Sequence, residues 1–151
     1  MKYWLMKSEP FVYSIDDLAR DKTTSWDGVR NYQARNFIRD DMQIGDMAIF
    51  YHSNSEPPAA VGICEISSEA MIDESQFDHG SENFDPRSKP ENPAWIAREV
   101  TFVKKFNKPV SIDEMRANKK LSEMLILRKG NRLSVTPITK QEFDEIVKMG
   151  G

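Results

Sequence analysis

The stretch Trp26-Asp27-Gly28-Val29-Arg30-Asn31-Tyr32-Gln33-Ala34-Arg35-Asn36 crowds two aromatics, two arginines, three side-chain amides, a carboxylate and a glycine into one short segment. A folding core has little use for that mixture, because a buried polar group is costly unless it finds a partner. A recognition pocket needs it: a flat apolar wall, a few fixed donors and acceptors, and a glycine that allows close approach. Trp26 follows the polar run Lys22-Thr23-Thr24-Ser25, and turn-like flanks tend to keep side chains near the surface. A surface tryptophan can stack a nucleobase for about 1–3 kcal/mol, whereas an isolated one is more often core. Asn31 can read a base edge through its amide. Arg30 and Arg35 can hold phosphate, or pair internally with Asp27 or Asp40.

Two other segments carry the same kind of chemistry. Lys7-Ser8-Glu9-Pro10 leaves an early strand, Tyr3 to Lys7, and strand ends are common places for binding residues. Ser8 and Glu9 together suit an amidine or an exocyclic amine, or they satisfy backbone groups of a turn. Tyr51-His52-Ser53-Asn54 leaves a second strand, where His52 is a hydrogen-bonding wall, a general base or a plain surface histidine.

The rest of the chain reads as alternating short elements. Ser14 with Asp17, Ser111 with Glu114 and Thr139 with Glu142 are capping-box patterns that open helices; the first covers Ile15 to Arg20 and the last ends near Gly150. Asn31 to Arg39 suits a helix with Asn31, Arg35 and Arg39 on one face, a candidate phosphate contact through Arg35 and Arg39. After the Gly45-Asp46 turn, Met47 to His52 reads as a strand buried on both faces. Val61 to Ile66 and Trp95 to Phe106 read as further strands. Leu121 to Leu127 is ambiguous between helix and strand, and Arg132 to Val135 is a short strand stopped by Pro137. Asp73 to Pro93 is an acidic, proline-bearing surface loop, a candidate docking site for a basic protein partner. Strands broken by short helices and irregular loops predict a single α+β domain over 1–151 with a small, mostly antiparallel barrel rather than a parallel sheet.

Composition excludes several classes. The chain has 151 residues, 39% of them hydrophobic and 30% charged, which suits one self-sufficient core. A single cysteine, Cys64, precludes an internal disulfide, and with only His52 and His79 beside it a zinc site is not expected. The Tyr3-Trp4-Leu5-Met6 run is broken at once by Lys7, Glu9 and Pro10, unlike a signal peptide, and no segment reaches membrane-spanning length. The expectation is a cytoplasmic, reduced protein with neither cofactor nor metal. A net charge of −3 disfavours holding nucleic acid mainly by backbone electrostatics. Lys104 to Arg132 is locally basic, as a binding patch or as solvated surface.

A catalytic reading finds little support. Ser8 or Ser53 with His52 and Asp27 makes an imaginable hydrolase, but neither serine sits in a nucleophile-elbow pattern, and Ser53 adjoins His52. Gly28, Gly45, Gly62, Gly80 and Gly130 are isolated, so no phosphate-cradling loop is expected.

Taken together, Trp4-Leu5-Met6-Lys7-Ser8-Glu9-Pro10, the Trp26 to Asn36 stretch, Phe50-Tyr51-His52-Ser53 and Arg132-Leu133-Ser134-Val135 with Pro137 resemble the EVE domain family over essentially the whole chain, with the motifs in order. The resemblance implies a PUA-like fold, a barrel flanked by helices, and kinship with YTH, ASCH and SRA-type readers. It implies a non-catalytic module that takes a flipped modified base, chiefly 5-methyl- or 5-hydroxymethylcytosine in DNA, into a pocket. A modified RNA base, or a small nucleotide-directed hydrolase using His52, are the alternatives. Carried over, Trp26 is a pocket wall and Lys7, Ser8 and Glu9 a second rim. Asn31, Arg30 and Asp27 supply polar contacts, and Tyr51, His52 and Ser53 complete the site. Nuclear family members carry a basic amino-terminal extension, and without one in this sequence nuclear localisation is not the expectation.

Overall fold

The computed structural model describes residues 1–151. Strands β1 (Tyr3–Ser8) and β3 (Met47–His52) pair in parallel, with Tyr3 opposite Met47 and Ser8 opposite His52. Every other strand pairing is antiparallel: β3 with β4 (Ala59–Ile66), β4 with β6 (Ile96–Ser111), β6 with β2 (Thr23–Trp26) and with β5 (Met71–Ile72), and β1 with β7 (Val135–Ile138). The order is β2-β6-β4-β3-β1-β7, so β2 and β7 are edges. Trp26 of β2 and Val135 of β7 nevertheless belong to one core. The sheet therefore rolls around that core, and the carboxyl end of β1, beyond its Tyr3–Met6 pairing with β7, comes opposite β2 across a seam.

Both faces of the sheet are covered, which is why the central strands are apolar throughout. Trp4, Met6, Ala48 and Phe50 point to one face, and Leu5, Ile49 and Tyr51 to the other, by the two-residue period of a strand. The first face is closed by α1 (Ile15–Asp21), α2 (Tyr32–Asn36) and the π turn Phe37–Asp41 that continues α2. The second is closed by α3 (Ile112–Ala117) and α4 (Lys140–Gly150) through Met115, Phe143 and Ile146. In β4 the alternation changes phase: Ala59 and Val61 join the first core, then Cys64 and Ile66 do, across register shifts in its pairings. A bulge does this by adding one residue to one strand. No helix is long and apolar enough to cross a membrane.

All three capping boxes form, with Ser14, Ser111 and Thr139 accepting from the backbone N–H three residues on. Several expectations are corrected. Thr23–Trp26 is a strand rather than a turn-like flank. The Leu121 to Leu127 segment is neither helix nor strand but part of two 3-10 turns, Lys119–Leu121 and Leu125–Leu127. The last strand lies later, at Val135–Ile138, and contains Pro137. A proline lacks the N–H a central ladder needs, but it fits an edge strand. The long strand runs past Phe106 to Ser111.

Candidate nucleobase-binding cleft

The seam between the carboxyl ends of β1 and β2 opens into a cleft of about 480 Å³. Lys7, Ser8 and Glu9 form one side, Thr24 to Gly28 the other, and Val12, Tyr13, Glu82 and Asn83 complete it. Two of the three sequence segments thus converge here. Trp26, at 8% exposure, is packed edge-on against Phe50 (5.4 Å, 84°), so its ring is a fixed wall rather than a free platform. Both readings of Trp26 hold at once: it is core on one side and lining on the other.

Of the expected pocket residues, Lys7, Ser8, Glu9, Trp26 and Asp27 line the cleft, and Asn31, Arg30, Tyr51, His52 and Ser53 do not. Asn31 is the N-cap of α2, its Oδ1 accepting the Ala34 N–H at 3.1 Å. Its acceptor is therefore occupied by the helix. Tyr51 lies in the second core, on the opposite face of the sheet from Phe50, and is 2% exposed. Burial pushes its phenol up to about 12. His52 Nε2 accepts the Ile15 N–H at 3.1 Å, and the Ser53 N–H donates to the Ser8 carbonyl at 3.0 Å, tying β3 to the cleft from behind. Ser8 Oγ donates to the Tyr13 carbonyl at 2.6 Å. Ser8, His52 and Asp27 therefore form no relay: the serine proton and the histidine acceptor are each engaged with backbone.

Arg30 is a structural clamp. Its guanidinium donates to the Asn83 carbonyl at 2.7 and 3.2 Å and to Asp73 at 2.9 Å, and lies 5.3 Å from the Trp95 ring. Arg35 donates to the Ala94 carbonyl at 2.8 Å and sits over Tyr32, and Arg39 is paired with Asp40 at 2.8 and 2.9 Å. Neither lines the cleft.

The acidic loop stays at the surface over most of its length, as expected. It is anchored inward by two buried side chains, Asp73 and Gln76. Asp73 accepts from Gly28 N–H, Arg30 and Ser75. Gln76 spans the loop, donating to the carbonyls of Asp73 and Trp95 and accepting from Ser88 and the Trp95 N–H. The Trp95 indole donates to Asp85 at 2.7 Å. Pinned in this way, the loop presents Glu82 and Asn83 to the cleft. Nothing local in the sequence marks this anchoring, because the contacts of Asp73 to Gly28 and Arg30 cross 45 and 43 residues of chain.

Gly28 makes that closure possible. Its φ of +79° is left-handed, and a Cβ there would meet the Asn83 amide at 2.9 Å. Charge in the cleft is uneven. Glu9, Asp27 and Glu82 bring carboxylates and Lys7 one ammonium. Partial burial raises the Asp27 carboxyl above its usual range, with the Asp73 charge adding to it and Arg30 opposing it. Burial lowers Lys7. For Asp73, burial alone acts upward, but hydrogen bonds from Ser75, Gly28 and Arg30 outweigh it and hold the carboxyl low. No group of three or more His, Cys, Asp and Glu side chains is gathered as a metal site.

Known proteins match the chain along its length. Thymocyte nuclear protein 1 of Rattus norvegicus is 42% identical over 166 residues, covering 97% of this chain and 73% of that protein. A solved structure of a hypothetical protein from Leishmania major superposes with a TM-score of 0.95 at 41% identity, over 99% of this chain and 94% of that one. The human THYN1 protein, solved in complex with 5-methylcytosine containing DNA, superposes with a TM-score of 0.92 at 38% identity, over 99% and 98% of the two chains. These are PUA-like folds. The EVE domain model matches residues 2–149, and the chain belongs to the EVE domain family.

Proposed function

We propose that this protein is a non-catalytic reader of modified cytosine in DNA, and that the cleft beside Trp26 takes the base. The observation that carries the reading is the human relative solved with 5-methylcytosine containing DNA, alike over 99% of this chain. The chemistry of the cleft fits it. Cytosine presents an amine donor beside ring-nitrogen and carbonyl acceptors; the carboxylates of Glu9 and Asp27 accept from the amine, and Lys7 donates to an acceptor. Thymine has a carbonyl in place of the amine and so turns an acceptor toward a carboxylate, which is costly. Trp26 supplies the apolar wall, and Val12 and Tyr13 the apolar surface where a 5-methyl group would sit.

A base in a duplex must leave the stack to reach the cleft, at a cost of a few kcal/mol, which stacking and hydrogen bonds offset. The methyl group itself adds about 1–3 kcal/mol of discrimination. With a net charge of −3 and three carboxylates at the rim, affinity rests on the base rather than on phosphates. Arg35 and Arg39 are secondary backbone contacts in this scheme. A reducing, cytoplasmic setting belongs to the same proposal and agrees with a single cysteine buried in the core.

The test is titration of short oligonucleotides, DNA and RNA, that differ only in cytosine modification, at several salt concentrations. A preference for modified cytosine that persists as salt rises supports the reading. Equal affinity for modified and unmodified strands of both kinds overturns it.

A further inference from the structure

We infer that Phe11 is a wedge that enters the base stack beside the target cytosine and holds the step open while the base occupies the cleft. The inference rests on the modified-cytosine reading above.

Phe11 and Val12 are 72% and 64% exposed, more than any other large apolar side chain except Met1. Single exposed apolar residues are ordinary on protein surfaces. This pair differs in where it stands and in how firmly it is held. Both residues lie in the turn between β1 and α1, and Val12 lines the cleft, so Phe11 is one residue from the entrance.

The turn is braced at every step. The N–H groups of Val12 and Tyr13 both donate to the Glu9 carbonyl at 2.9 Å. Ser8 Oγ ties the far side through the Tyr13 carbonyl at 2.6 Å, and Asn54 donates to the Glu9 carboxylate at 2.9 Å. Pro10 fixes the backbone immediately before Phe11. A phenylalanine exposed on a braced turn, one residue from the mouth of the cleft, is placed to press against something flat.

Proteins that open DNA insert apolar side chains between base steps, partly unstacking them. Charge cannot do that work at this rim, where Glu9, Asp27 and Glu82 repel phosphate. An apolar side chain can.

The experiment uses the whole protein and its Phe11→Ala and Phe11→Leu variants, with thermal unfolding to check that both fold. Each is titrated with one 5-methylcytosine sequence in three forms: single strand, full duplex, and duplex with an abasic site opposite the target. A 2-aminopurine next to the target reports unstacking. Expected is a loss of about tenfold or more on the full duplex for Phe11→Ala, with the single strand and the abasic duplex within about twofold. Phe11→Leu keeps most of the duplex affinity, and the 2-aminopurine fluorescence gain disappears only in Phe11→Ala. Equal losses on all three forms, or an unchanged duplex affinity, overturn the wedge and leave the base reading intact. The native protein is also titrated with the unmodified counterpart of each form; equal affinity for modified and unmodified in all three overturns that reading, and the wedge with it.

Discussion

The carboxylate of Asp73 accepts the backbone N–H of Gly28 at 2.9 Å, across 45 residues of chain. The turn that follows Trp26 and the acidic loop packed against it are therefore one structural unit, which holds Asn83 beside Gly28 at the cleft. The same carboxylate holds Arg30, which in turn holds the Asn83 carbonyl.

Asp73→Ala leaves Gly28 N–H and Arg30 without their buried acceptor. Removing one partner of a buried pair costs about 3–5 kcal/mol, so chemical denaturation is expected to register a loss of that order. Hydrogen exchange across residues 74–95 is expected to speed up beyond the global loss, because the loop is released first. The Asp73 carboxyl is held below its usual value, so its contribution is present above that usual value and vanishes as pH falls through the lower folded one. The native protein and Asp73→Asn are expected to converge in stability only in strong acid; convergence at pH 5 contradicts the assignment.

Trp26→Ala is expected to lose both binding and stability. Its ring is buried against Phe50, and removing a core tryptophan costs about 3–5 kcal/mol. Trp26→Phe separates the two effects, since it keeps most of the apolar volume and discards the wide indole wall. A melting temperature within a few degrees of native, with binding weakened about tenfold, is expected from the loss of stacking area. Unchanged binding in Trp26→Phe removes Trp26 from the site.

How far the sequence carried this picture depends on whether a feature was local. The capping boxes at Ser14, Ser111 and Thr139 needed only four residues each, and all formed. Met47 to His52 was legible because a strand covered on both faces is apolar throughout. Thr23–Trp26 was not, because an edge strand paired only with β6 can stay polar and resembles a loop. Tyr51 was assigned to the pocket by its nearness to His52 in the chain, although strand alternation sends it to the opposite face. The inward anchoring of the acidic loop was hidden because Asp73 acts on Gly28 and Arg30, 45 and 43 residues away along the chain. Lys7, Ser8 and Glu9 were foreseen from a strand end, and Trp26 and Asp27 from the mixed chemistry of their segment; Glu82 and Asn83 depended on that loop.

Gly28→Ala places a side chain at φ +79° and brings its Cβ to 2.9 Å from the Asn83 amide. The left-handed backbone alone costs about 1–2 kcal/mol, and the clash adds to it unless Asn83 moves. Calorimetry is expected to report a destabilised protein, and binding of modified oligonucleotides to weaken as Asn83 is displaced. The double variant Gly28→Ala/Asn83→Ala is expected to recover the part due to the clash and not the part due to backbone. Full recovery assigns the whole effect to crowding; no recovery assigns it to the backbone.

His52 offers a pH test with the same sense as that of Asp73, at higher pH. Its Nε2 accepts the Ile15 N–H at 3.1 Å, so that nitrogen carries no proton in the folded protein. Burial lowers its pKa from the usual 6.5; Asp16 opposes the shift and Lys105 adds to it. Near and below pH 6.5 the unfolded chain therefore binds a proton that the folded protein resists, and stability falls as pH drops. The loss begins near the unfolded value and levels off below the lowered folded one. His52→Gln keeps an acceptor for Ile15 and does not titrate, while His79 and the carboxylates are common to both proteins and cancel. The stability of the native protein relative to His52→Gln is expected to be constant above about pH 7.5 and to decline through the window below 6.5. A difference that stays flat from pH 8 to pH 5 means that His52 is protonated equally well in both states, and that the bond to Ile15 does not hold it neutral.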